Sequence, residues 1–125
     1  MAAVSDLIQI GLDARKASFL GDTFASAITL TGASQATGVP IVDTINRITG
    51  GTSPTDIAAT LPQVVAFKPT FLVIKSQFIG FNAEIYPGVG DQINGLGADV
   101  PISLTAGKTM LFFKISSTEW IAFEA

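Results

Sequence analysis

The chain should fold as an all-β domain: an antiparallel β-sandwich or jelly-roll-like double sheet, with an N-terminal arm or short helix. Three observations predict this. β-Branched and aromatic residues recur in runs of roughly five to seven. Turn signals built on Gly, Pro, Ser or Asn-Gly separate the runs about every 8–12 residues. No long apolar segment of 3.6-residue period follows residue 20. About eight or nine strands result, which suits a double sheet.

Residues 1–24 differ from the rest, carrying Asp6, Asp13, Arg15, Lys16 and Asp22. Ile8-Gln9-Ile10-Gly11-Leu12-Asp13 alternates as a strand does, while Leu7, Ile8 and Leu12 also fit a short helix. The segment is therefore either a docking arm or the first strand, and residues 25–125 form the β-sandwich domain. Ser26–Thr31 alternates and reads as a strand, followed by a loop over Gly32–Gly38. Pro40 restarts the chain in an extended form. Ile41–Thr49 is β-branched and alternating. Gly50–Pro54 turns, and Ile57–Leu61 is a short strand stopped by Pro62. Thr70–Ser76 is apolar on both faces over most of its length, the mark of a central strand covered on both sides. Phe81–Tyr86 is a strand ended by Pro87-Gly88. Val100–Leu104 and Thr109–Ile115 flank a turn at Ala106-Gly107-Lys108. Thr118–Phe123 closes the domain.

Composition sets the functional class. The chain has 125 residues, 48% apolar before its 12 glycines are counted, and only 14% charged. A typical globular domain carries ~25% charged residues. A small particle has much surface for its volume, and this one has little charge to cover it. Contacts with other subunits resolve the mismatch, so a homo-oligomer is expected. A spanning helix needs ~18 nearly continuous apolar residues; the longest such stretch, Ile57–Phe67, is broken by Thr60, Pro62 and Gln63. Residues 1–24 lack the basic and apolar regions of a signal peptide. Net charge is −3 and the cations are scattered, so no basic stripe awaits nucleic acid.

Chemistry is sparse. There is no Cys and no His, which removes thiolates, disulfides, His-dependent triads and the usual zinc sites. Ser-Lys and carboxylate pairs need no His, but no marked instance of either occurs. The expectation is no enzyme, no cofactor, no metal and no small-molecule substrate. Gly107-Lys108-Thr109 imitates the end of a phosphate loop, yet Ile102 stands where the first glycine is required, so Gly107 makes a turn. The stretch Gly88–Asp99 is the most distinctive. Calcium at Asp91, Asn94 and Asp99 is disfavoured, because Ile93 occupies the third ligand position. Asn94-Gly95 instead suits a tight turn with positive φ, with Ile93 and Leu96 tucked inward. In the last strand Trp120, Ala122 and Glu124 point one way, Ile121 and Phe123 the other. Trp120 reads as core or as an interface anchor. Phe78 and Phe81, flanking Gly80, carry the same ambiguity.

Residues 63–123 resemble virion proteins encoded among the head genes of tailed bacteriophages. The most specific part is Tyr86-Pro87-Gly88-Val89-Gly90-Asp91-Gln92-Ile93-Asn94-Gly95. It is supported by Leu61-Pro62, Phe71-Leu72-Val73-Ile74, Ile102–Lys108 and the final strand with Trp120. A looser likeness over Ala27–Ile48 extends it to about three-quarters of the chain; residues 1–24 lie outside it. The resemblance implies a capsid decoration (cement) protein, trimeric, bound to the major capsid protein on the virion surface and made in the host cytoplasm. A related implication is a head-fibre or spike domain binding a receptor or sugar through Tyr86 or Trp120 with Asp91 or Asn94. The loop residues Tyr86, Pro87, Gly90, Asp91, Ile93, Asn94 and Gly95 are a structural signature, and Leu7, Ile8, Ile10, Phe78, Phe81 and Trp120 are candidate interface residues.

Overall fold

A computed structural model describes residues 27–77 and 79–125. Its strands, in chain order, are β1 (Ile28–Thr29), β2 (Val39–Pro40), β3 (Ile45–Gly50), β4 (Ala58–Thr60), β5 (Phe71–Ser76), β6 (Ala83–Tyr86), β7 (Gln92–Ile93), β8 (Ile102–Leu104), β9 (Thr109–Lys114) and β10 (Glu119–Glu124). They form a six-stranded sheet, β1-β3-β5-β9-β10-β7, and a four-stranded sheet, β2-β4-β6-β8. One sheet is curled into a half-barrel, and no helix occurs among the described residues. The all-β, sandwich-like class holds. The predicted arm or first strand, residues 1–24, lies outside the described residues.

The expected antiparallel pairing holds for only part of the fold. From β1 to β9 the chain changes sheet after every strand. A chain that crosses over and returns lays its next strand in the same sense as the last, whereas a hairpin reverses it. Accordingly β1, β3 and β5 are parallel neighbours, as are β2, β4 and β6, and β7 runs parallel to β10. The pairs β5·β9 and β9·β10 are antiparallel, and so is β6·β8, an exception in which the chain crosses through β7 and returns in the reverse sense. The jelly-roll expectation is corrected to a wound, mixed-sheet sandwich, because the turns that read as hairpins are mostly crossings between sheets.

The strand alternation places the core. Ile48, Leu72, Ile74, Phe112 and Trp120 of the six-stranded sheet face Ala59, Ala83, Ile85 and Leu104 of the other. Leu30, Ile41, Leu61, Val64 and Phe67 close the ends from the connections. Trp120 is 0% exposed. Its ring lies 5.8 Å from Phe67 and 6.5 Å, edge-on, from Phe112. Large aromatic area buried in such tilted geometry dominates core energetics. The Trp120 Nε1–H nevertheless has no hydrogen-bond partner among the described residues; packing outweighs that single unmade bond. Trp120 is thus corrected from candidate interface anchor to core. Phe81 is half-buried and packs against the same cluster.

β5 is central, as its sequence predicts, but it is not covered on both sides. Leu72, Ile74 and Ser76 are buried, whereas Phe71 and Val73 are only half-buried and Lys75 is exposed. The sheets end in short strands: β1 and β7 flank the larger sheet and β2 and β8 the smaller, each two or three residues long.

Candidate functional site

The loop 86–100 leaves β6 and reaches the far flank of the other sheet through β7. Tyr86, at the end of β6, donates its hydroxyl to the Ala33 carbonyl at 3.1 Å. Pro87 is buried, and its carbonyl accepts from Gln35 Nε2 at 2.8 Å. Gly88 must be glycine: a Cβ there would stand 2.7 Å from the Gln63 backbone. Gln63 Nε2 in turn donates to the Val89 carbonyl at 2.9 Å. Gly90, with φ of 87°, turns the chain so that Asp91 points inward.

Asp91 is 4% exposed and accepts the Val64 amide at 2.8 Å. Burial raises its pKa above the ordinary carboxylate range; the Val64 hydrogen bond opposes this and the charge of Asp99 reinforces it. Asp99 behaves oppositely. Its Oδ1 accepts from Gln35 Nε2 at 2.9 Å and from the Gly90 amide at 2.7 Å. Those bonds, to Gln35 first, hold its pKa down. The Asp99 amide donates to the Asp91 carbonyl at 2.9 Å and closes the loop.

β7 then adds to β10, with Gln92 opposite Glu119 and Ile93 opposite Trp120. Ile93 is fully buried. Asn94 (φ 53°) and Gly95 (φ 68°) make the predicted tight turn. The Asn94 side chain imitates a strand residue: Nδ2 donates to the Ala122 carbonyl at 2.9 Å and Oδ1 accepts the Ala122 amide at 2.8 Å. Leu96, expected to tuck inward, is 51% exposed. Once Asn94 and Gly95 reverse the chain, Leu96 leads back toward the loop mouth instead of the core.

The loop therefore rivets the two sheets. Asp91, Asn94 and Asp99, weighed as a calcium set, are engaged with Val64, Ala122 and Gln35 respectively. No group of three or more His, Cys, Asp or Glu side chains could hold a metal among the described residues. The aromatic and polar groups weighed for sugar binding are likewise engaged: Trp120 and Asp91 are buried, and Tyr86 and Asn94 bond to the backbone. Gly107 makes the predicted turn, with φ of 81°.

A second feature lies on the outer face of the six-stranded sheet. Strand register aligns Ile45, Val73, Leu111 and Phe123 in one row and Phe71, Phe113 and Ile121 in the next. The Phe113 and Phe123 rings stack at 5.7 Å, and Phe71 lies 6.1 Å from Phe113. Ile115, Ile121 and Phe123 are 55%, 41% and 51% exposed. Of the residues predicted to make an interface, Leu7, Ile8, Ile10 and Phe78 lie outside the described residues. Sequence reasoning missed the rows themselves, although the two-sided apolarity of Thr70–Ser76 and the opposed direction of Ile121 and Phe123 announced them.

No family model, curated protein or solved structure matches this chain. The fold and loop by themselves define a wound β-sandwich whose distinctive loop is structural and whose most conspicuous surface is an apolar sheet face.

Proposed function

We propose that this chain is a virion structural protein: a capsid decoration, or cement, protein that binds the outer surface of a tailed-phage head as a trimer. The observation that carries the reading is the apolar outer face of the six-stranded sheet on a chain with only 14% charged residues. A contiguous apolar patch of this kind marks an association surface. The likeness of the Tyr86–Gly95 run to head proteins supplies the context, with the major capsid protein as partner. A riveted sandwich suits the role, since a cement protein must present an unchanging shape to many identical sites. Trimerisation then multiplies weak single contacts through avidity. The work is mechanical rather than catalytic.

The test is binding to heads of the parent phage stripped of their decoration. Co-sedimentation should saturate at a fixed stoichiometry, and electron cryo-microscopy should place threefold density on the shell. Failure to bind shells, together with specific retention on a glycan array, would overturn the proposal in favour of a fibre or spike domain.

A further inference from the structure

The outer face of the six-stranded sheet has two flanks of opposite charge. Arg47 and Lys75, aligned with Thr109 across β3, β5 and β9, edge the apolar rows on one side. Glu119 stands on β10 beside Ile115, on the opposite flank and at the other end of the strands. The intervening length of β9, from Thr109 to Ile115, is about 20 Å at strand rise. A whole large apolar side chain carries roughly 150–250 Å², so the half-exposed Ile115, Ile121 and Phe123 with their five partly exposed neighbours sum to about 500 Å². That lies high in the range of about 300–600 Å² for the largest patch on a monomer. Divided between the two neighbours of a closed ring, it gives about 250 Å² of apolar surface per contact, so the charged flanks must supply much of the rest of the ~800 Å² per partner of a standard interface.

We infer that this face is the contact between copies of the chain, turned toward the threefold axis of the trimer proposed above, on which the inference rests. A ring-closing contact pairs two different patches. Here the cationic β3–β5 flank of one subunit meets the anionic β10 flank of the next, with the phenylalanine rows between them. Opposite signs on opposite flanks favour that head-to-tail register and penalise like-charge alignments. Strand register contributes, because one parallel and two antiparallel pairings set Ile45, Val73, Leu111 and Phe123 at one level across four strands, giving a ridge wide enough to share between two neighbours.

The test uses the full chain and light scattering coupled to size exclusion at micromolar concentration. Wild type should be a trimer. Ile121→Lys and Phe123→Lys, which replace side chains exposed in the isolated subunit, should each weaken association by at least roughly 30-fold and yield folded monomer by circular dichroism. Lys75→Glu should weaken the trimer, and adding Glu119→Lys should restore it. Since a lysine variant could also misfold, Phe123→Cys provides a second readout. Its thiol should resist maleimide in the trimer and react on dilution. Trimers that persist in both lysine variants but fall apart in Val89→Lys would overturn this assignment while leaving the decoration reading intact. A monomer whose Phe123→Cys thiol is still protected would also overturn it, showing residues 1–26 to be the cover. A trimer lost through these variants that never binds stripped heads would uphold the interface and sink only the decoration role.

Discussion

Asn94→Ala removes three contributions at once, and each can be sized. The side chain makes two hydrogen bonds to the Ala122 backbone, at 2.9 and 2.8 Å. Each is worth about 1 kcal/mol net. Asn94 also sits at φ 53°, where asparagine is tolerated and alanine costs about 1 kcal/mol more. The sum is about 3 kcal/mol, which for a domain of this size lowers Tm by roughly 10 °C. Asn94→Gly keeps the left-handed backbone and loses only the bonds, so it should be about 1 kcal/mol less damaging than alanine. Asn94→Asp retains the acceptor for the Ala122 amide but turns an oxygen on the Ala122 carbonyl, and should fall between wild type and alanine. Urea unfolding at pH 7 and a single chain concentration measures all three, the fixed concentration being needed because the proposed assembly would shift apparent stability. An alanine variant within about 0.5 kcal/mol of wild type would refute the strand-mimic role. A glycine variant no better than alanine would refute the strain component.

Two further predictions concern the loop carboxylates. Asp91→Ala leaves the Val64 amide without its acceptor and should cost about 1–3 kcal/mol by denaturant unfolding, whereas Asp91→Asn keeps an acceptor, discards a charge that burial disfavours, and should be neutral or stabilising at pH 7. Asp99 and Glu124 have lowered pKa values, the former through Gln35 and Gly90 and the latter through Thr105. Their stabilisation is present above the unfolded carboxylate range and lost as pH falls through and below about 4; Asp91, with its raised pKa, acts in the opposite sense, losing its advantage as pH rises above that range. Tm measured from pH 7 to 3 should therefore fall at the acid end, and fall less steeply in Asp99→Asn.

Most strand positions were legible because each depends on local alternation, although Ile41–Thr49, which reads as one strand, yields only Ile45–Gly50. Trp120 and Ala122 are buried, while Ile121 and Phe123 face out, as period two requires. Asn94-Gly95 was legible because positive φ is a residue-level preference. Connectivity was not. Whether Gly50–Pro54 turns the chain back within a sheet or sends it across to the other depends on where the next strand finds room, and no residue encodes that alone. β7 was missed for the same reason: two residues become a strand only because β10 stands beside them. The burial of Asp91 likewise depends on Val64, 27 positions away, so its sequence neighbours do not reveal it. β5 misled because a strand covered by its own domain and one awaiting a neighbour carry the same apolar residues.

Among the described residues, the clipped margins of both sheets bear on fibre growth. A long bare margin is a template on which further strands stack without limit. β1, β2, β7 and β8 offer only two or three residues each, too few backbone groups to recruit a stranger. In the trimer proposed above, cohesion would fall to the broad side of the sheet, where a ring-closing contact ends after a fixed number of copies.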